Sequence, residues 1–261
     1  MHSKIIHIGD SCNNRCYFCF NHGKNFETDL LRIKDSIREG FEQGCRQVVF
    51  TGQEPTLHPD IEEIISVGNR TGYDVIQLVS NARMFTYKEF TGKIVFAGMT
   101  ELLVPIYGPD AELHDSVTQV PGSFDQTTRG IRNVISVSNE FQPSFHVTPV
   151  IGSVICKENV SLLPEIAAMA YNLDVEYLFF IKMIPVRENK SLGLTAIKKP
   201  LIKALEYAGE RGIKIYLRGF KPVRAFIDRP DIFYENFLEQ NRVLIPTGSG
   251  LKDAADNGDP K

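Results

Sequence analysis

Cys12, Cys16 and Cys19 fall within the segment Cys12-Asn-Asn-Arg-Cys16-Tyr-Phe-Cys19. Thiolates this close on one loop can converge on a metal centre. A structural zinc site takes four Cys or His ligands, and His22 and His7 are near enough in sequence to be considered for the fourth. Iron–sulfur clusters are also held by Cys thiolates, usually four. Three protein ligands leave one iron open to an exogenous group, which is the arrangement of a reactive site. On this loop alone both assignments stand. A second segment, Val48-Val49-Phe50-Thr51-Gly52-Gln53-Glu54-Pro55, ends an apolar run in a turn. Gly52 lets backbone approach a ligand closely, and Glu54 offers a carboxylate, either to that ligand or as the cap of a following helix.

Such groups act together only if the fold brings them to one place. Short apolar runs at Lys4–Ile8, Gln47–Thr51, Asp74–Ser80, Glu101–Ile106, Ser144–Val150 and Tyr177–Ile184 read as strands, with a further short one at Ile213–Leu217. Amphipathic stretches alternate with them: Asp29–Gln43, Asp60–Arg70, Tyr87–Ala97, Ser123–Ser136, Val160–Tyr171 and Lys199–Arg211. Strand–helix alternation predicts parallel βαβ units with right-handed crossovers, and continuous apolar strands predict a sheet covered on both faces. Six or so repeats are too few for a closed eightfold barrel. The expected fold is therefore α/β, a partial (β/α)6 TIM barrel with outer helices; a doubly wound sheet is the alternative. Residues 1–220 are expected to form that barrel, 221–246 an extension packed on it, and 247–261 a mobile tail. In such folds the loops at the carboxyl ends of the strands face one crevice. Both segments above occupy that position.

The 261 residues carry 29 Lys plus Arg against 32 Asp plus Glu, a formal charge of −3. That balance gives no footprint for nucleic acid and no polybasic membrane anchor. No apolar run approaches the roughly 20 residues that span a bilayer. The opening residues lack the apolar core of a secretory signal, so a cytoplasmic protein with reduced thiols is expected.

The cysteine loop after the first strand and the Thr-Gly-x-Glu-Pro turn after the second resemble the radical S-adenosylmethionine (radical SAM) superfamily. Cys12, Cys16 and Cys19 look like its C-x3-C-x2-C ligands, with Phe18 before the last Cys. Thr51–Pro55 is similar to its Gly-Gly-Glu-Pro motif, and Val79-Ser80-Asn81-Ala82 to the Thr-Asn-Gly turn after its third strand. Ile106–Asp110, His114–Ser116 and Pro121–Phe124 resemble the segment after the fourth. Phe179–Asn189 resembles the sixth strand of the molybdenum-cofactor cyclase branch, which ends in an apolar residue and Pro, here Ile184-Pro185.

The resemblance implies a [4Fe–4S] cluster on the three Cys, with SAM chelating the fourth iron. One electron from a donor such as flavodoxin or ferredoxin cleaves SAM to methionine and a 5′-deoxyadenosyl radical. That radical takes a hydrogen atom from a small-molecule, nucleoside or short peptide substrate. It further implies that Gly52, Gln53 and Glu54 receive the SAM amino group, that Phe18 and Ile184 contact the adenine, and that Ser80 and Asn81 reach ribose or substrate. Gln53, Pro105 and Ala82 depart from the family pattern, standing where relatives carry Gly, Ser or Thr, and Gly. A non-catalytic relative acting as a sensor or partner subunit, and a zinc-binding α/β module, are the competing readings.

On the substrate side, Lys182 and Phe180 share a strand face with Ile184. A Lys inside an apolar strand needs a partner or ligand. Lys182 and His146 are therefore the expected substrate residues, for an anionic or hydrogen-bonding substrate. Tyr107 is a candidate for radical quenching or for packing. Arg83, Arg187 and Arg218 follow strands and are candidates for an anion, whereas His58 and His114 read as turn or helix-start residues. Cys45 and Cys156 read as buried, reduced thiols. No second cysteine cluster follows, so no auxiliary cluster domain is expected.

Overall fold

The computed structural model describes residues 3–141, 144–183 and 192–219. Strands and helices alternate as β1 (Ser3–Ile8), α1 (Leu30–Glu42), β2 (Gln47–Gly52), α2 (Ile61–Thr71), β3 (Val75–Val79), α3 (Lys88–Phe96) and β4 (Glu101–Pro105). Then come α4 (Ala111–Thr118), α5 (Ser123–Glu140), β5 (Thr148–Ile155), α6 (Leu163–Asn172), β6 (Tyr177–Lys182), α7 (Leu194–Gly209) and β7 (Lys214–Arg218). The strands form one parallel sheet in sequential order, β1 to β7. No pairing joins β7 to β1 among the described residues, so the barrel is open, as the repeat count predicts. No helix among them is long and apolar enough to cross a membrane.

The two faces of the sheet are chemically distinct. On the outer face Phe50, Leu78, Val104, Ile151, Phe180 and Leu217 pack against helix residues such as Ile33, Ile64, Ile94, Ile131 and Leu201. Burying side chains of this size is worth about 1.5–3 kcal/mol each, which makes this layer the main source of stability. On the inner face a smaller cluster of Leu103, Val150, Phe179 and Tyr216 fills the barrel. Below it lies a buried polar layer: Gln77 donates to Glu101 (2.9 Å), and Ser3 to Gln47 (2.7 Å). Above it, toward the carboxyl ends of the strands, Thr51, Val79, Pro105, Val154, Ile181 and Arg218 are only half-buried. The inner cluster is thus the floor of a crevice whose rim holds the chemistry.

Three differences from the sequence expectations have local causes. Helix α4 is absent from the periodicity because it is short; it starts where Asp110 accepts the Leu113 N–H (3.0 Å). Strand β5 begins at Thr148 and runs through Gly152-Ser153, a pair that reads as a turn but lies within the sheet. Facing is also reversed on β6, where Phe180 joins the helix-side core while Phe179 and Ile181 line the interior. Lys182 shares the face of Phe180, so the expectation that it points into the barrel is corrected. Ile184, Pro185, Arg187, the 221–246 extension and the tail lie outside the described residues.

The β3 turn that faces the cysteine loop depends on a close helix approach. Ala82 adopts a left-handed backbone (φ 61°), and its carbonyl lies where a Cβ on Gly130 of α5 would be. Gly130→Ala should therefore lower the unfolding free energy by about 1–3 kcal/mol, as overpacking does. Urea denaturation of the apo-protein measures this, and unchanged stability would show that helix and turn can separate freely.

Candidate functional site

Three turns meet at the carboxyl ends of β1, β2 and β3. The first is the cysteine loop. Its main chain is fastened to the end of α4, with Arg15 N–H donating to Thr118 O (2.9 Å) and Tyr17 N–H to Val117 O (3.3 Å). The Tyr17 hydroxyl donates to Glu158 beyond β5 (2.7 Å). Phe18 is buried and meets Tyr107 edge-on, with ring centroids 5.1 Å apart. These anchors leave Cys12 exposed and Cys16 and Cys19 half-buried.

The second turn centres on Glu54, whose side chain is 2% exposed. One carboxylate oxygen accepts from Thr56 N (3.1 Å), Thr56 Oγ1 (2.6 Å) and Ser80 Oγ (2.7 Å), and the other from Asn81 N (2.8 Å). Burial pushes its pKa up, and the donated hydrogen bonds pull it part of the way back. Glu54 N–H donates to Ser11 O (2.9 Å), which joins this turn to the cysteine loop. The carboxylate caps the turn that follows it, as the sequence allowed, and also reaches across to β3. The Gln53 side chain is turned onto Asn21 O (3.0 Å) and Lys24 O (2.8 Å), and Asn21 donates to Gly52 O (2.5 Å). Gln53 thus fastens the far end of the cysteine loop.

The third turn closes the triangle. Asn81 Nδ2 donates to Asn13 Oδ1 (2.6 Å), and Arg83 to Asn13 O, Asn14 Oδ1 (2.8 Å) and Gln126 (2.6 Å). Arg83 therefore holds the cysteine loop rather than waiting for an anion. Sequence reasoning missed this role, because its partners lie far away in the chain; the Asn-Asn pair inside the cysteine motif was the available signal. Ser80 is spent on Glu54 and on the Ala82 N–H (3.0 Å).

The three thiols are close enough to feel one another. Although Cys12 is exposed as a residue, partial desolvation of its sulfur pushes its pKa up to about 11, with smaller contributions from Glu54 and Cys19, while the Asn14 N–H and Arg83 pull it down. Burial pushes Cys16 up to about 12, reinforced by Cys19 and Cys12. Cys12 and Cys16 thus keep their protons until a bound cationic centre displaces them. Among the described residues no three His, Cys, Asp or Glu are placed to hold a single metal ion. His22 is exposed, and His7 stacks on Phe26 (5.0 Å). A zinc knuckle completed by either His is thus not drawn by the geometry. An iron–sulfur cluster, which spreads its thiolates over separate irons, fits this donor set.

The substrate-side expectations fare worse. His146 is exposed and precedes the amino end of β5, at the opposite end of the sheet from the cysteine loop. It was misplaced because β5 starts four residues later than the pattern suggested. Tyr107 is buried and packs with Phe18, Val117 and Met183 against the half-buried Cys16. Its ring stacks on His114 (5.7 Å), whose Nδ1 accepts the Tyr107 N–H (3.3 Å). Cys156 is buried, and its main-chain N–H donates to Asn159 Oδ1 (2.9 Å).

The family described as "Radical SAM superfamily" matches residues 6–170. Similar proteins include a probable GTP 3′,8-cyclase from Saccharolobus solfataricus, 26% identical over 82% of this chain and 66% of its own length. An AdoMet-dependent heme synthase from Oleidesulfovibrio alaskensis is 28% identical over 72% of this chain and 47% of its own. Among solved structures, Streptococcus suis SuiB bound to S-adenosylmethionine superposes with a TM-score of 0.71 at 14% identity, over 87% of this chain and 52% of that one. The chain thus spans less than two thirds of the length of these relatives.

His114 is buried, and with Nδ1 accepting, its Nε2 proton finds no acceptor among the described residues. Burial lowers its pKa from 6.5 to about 4, against a partial pull from Asp115. The unfolded chain therefore takes the proton first, so stability present above pH 6.5 is lost as pH falls toward 4. Wild-type apo-protein should lose about 3 kcal/mol more than His114→Gln over that window, by urea denaturation at stepped pH. Parallel curves would contradict the burial argument.

Proposed function

Since the chain belongs to the radical SAM superfamily, we propose that it is an enzyme that holds a [4Fe–4S] cluster on Cys12, Cys16 and Cys19 and binds SAM beside it. When bound, that pair supplies one-electron cleavage of the SAM sulfonium and removal of a hydrogen atom from substrate. The observation that carries this reading is the placement of the three thiols on one anchored loop, at the mouth of an open parallel barrel.

The chain's own residues would divide the remaining work. Main chain at Gly52 and Gln53 receives the SAM amino group; the Gln53 side chain is turned away onto Asn21 and Lys24 and does not obstruct it. Glu54 shapes that turn from behind. The Phe18 main chain lies toward the adenine, while its ring is committed to Tyr107. Asn81, beside Cys12 and Asn13, keeps the ribose side of the site polar. Leu103, Val150, Phe179 and Tyr216 close the floor, which excludes water and stray hydrogen donors from below. Pro105 lies on the half-buried rim and contributes shape but no hydroxyl.

Arg218 shares the inner face with Tyr216, at the carboxyl end of β7. It puts positive charge on that rim, which suits an anionic group on a compact substrate. The names of the relatives, a GTP cyclase and a heme synthase, support a small molecule or nucleoside over a long peptide. Exposed Cys12 and Phe20, with Lys24 above the Phe20 ring (5.0 Å), present the cluster edge to a one-electron donor.

Anaerobically reconstituted protein should contain iron and sulfide and release 5′-deoxyadenosine from SAM on addition of dithionite. Cys16→Ala should abolish release. Protein that takes up no cluster, or cleavage retained in the variant, would overturn the assignment.

A further inference from the structure

Arg83 lies in the turn after β3 and is half-buried. Its guanidinium donates to the Asn13 carbonyl and to Asn14 Oδ1 (2.8 Å) on the cysteine loop, and to Gln126 Oε1 (2.6 Å) on α5. All three partners are uncharged, and none of the ion pairs among the described residues includes Arg83. A guanidinium does not lose its proton in a protein. A full positive charge is therefore fixed against the loop with no carboxylate bound to cancel it. The residues it grips adjoin a thiol: Cys12 Sγ accepts the Asn14 N–H (3.4 Å). Asn81 Nδ2, which donates to Asn13 (2.6 Å), approaches the same sulfur from 4.0 Å.

We propose that Arg83 is a positioning residue whose fixed charge raises the reduction potential of the cluster. The inference rests on the cluster assignment above and goes beyond it. One electron from an external reductant adds negative charge that the cysteine sulfurs share. A cation held on the two residues after Cys12 stabilises the reduced state more than the oxidised state. The potential of an iron–sulfur cluster follows the net charge and the hydrogen bonds around its sulfurs. Asn14 links the two, because its side chain accepts from Arg83 while its main-chain N–H donates to Cys12, and bonds in such a chain polarise one another. A neutral amide can supply hydrogen bonds that hold a loop; the charge is the part only a cation supplies.

The test is an EPR-monitored redox titration of reconstituted wild type, Arg83→Gln and Arg83→Lys, each assayed for iron and sulfide. Arg83→Gln offers an amide donor without the charge. It should hold wild-type iron and sulfide, with a midpoint potential shifted to lower values. Arg83→Lys returns the charge without the fork and should recover most of that shift. An unmoved potential in Arg83→Gln overturns the proposal, as does an equal shift in both variants, which would trace the effect to lost loop contacts. Loss of the cluster from either variant also overturns it, since Arg83 would then serve assembly and not poise. Wild type without a cluster would instead defeat the underlying assignment, so the two failures are distinguishable.

Discussion

A single buried carboxylate holds this site in register. Glu54 has almost no access to water, yet its two oxygens accept from the main chain and side chains of two different turns. Burying a carboxylate is costly unless donors replace its hydration, and Thr56, Ser80 and Asn81 do so. Because those donors come from the ends of β2 and β3, satisfying the charge requires the two turns to sit together. The Glu54 main chain then ties the pair to Ser11, and Asn81 and Arg83 bind Asn13 and Asn14 from the other side. The cysteine loop has no regular secondary structure to define it. Its shape comes from this triangle and from the end of α4.

The open sheet explains why such a triangle is available. Parallel strands in sequential order bring their carboxyl ends to one rim, and every crossover helix lies outside. The inner face is packed only to mid-height, where Leu103, Val150, Phe179 and Tyr216 meet. Above that level the side chains are partly exposed, and the crevice they line lies beside the thiols. Apolar floor, polar rim and a cluster loop anchored from three sides follow from one arrangement of alternating strands and helices. Arg83 illustrates the cost of precision: a cation that could serve a substrate is committed to holding the loop.

The fold and the cysteine trio were legible because both are written locally. Strand–helix alternation and a C-x3-C-x2-C spacing need no tertiary knowledge. Glu54 was legible as a site residue, but its direction was not: the partners that turn its carboxylate inward come from β3. Facing on β6 was inverted because it was deduced from Ile184, and a slip of one residue exchanges the two faces of a strand. His146 went astray when Gly152-Ser153, a turn-like pair, was not read as strand interior. The edge-on contact between Phe18 and Tyr107 joins segments separated by three strands and has no local signature. Gln53, a departure from the family pattern, gained a physical role once its contacts with Asn21 and Lys24 were seen.

The central claim is that the Glu54 side chain couples the turns around the thiols into one unit. Amide hydrogen exchange of apo-protein, wild type against Glu54→Gln, tests it most directly. The amide of Gln turns a donor toward groups that themselves donate, so protection should fall together in residues 11–19 and 80–86 while β6 and β7 stay unchanged. Loss confined to the neighbourhood of Thr56, with the cysteine loop and the β3 turn as protected as before, would contradict the account.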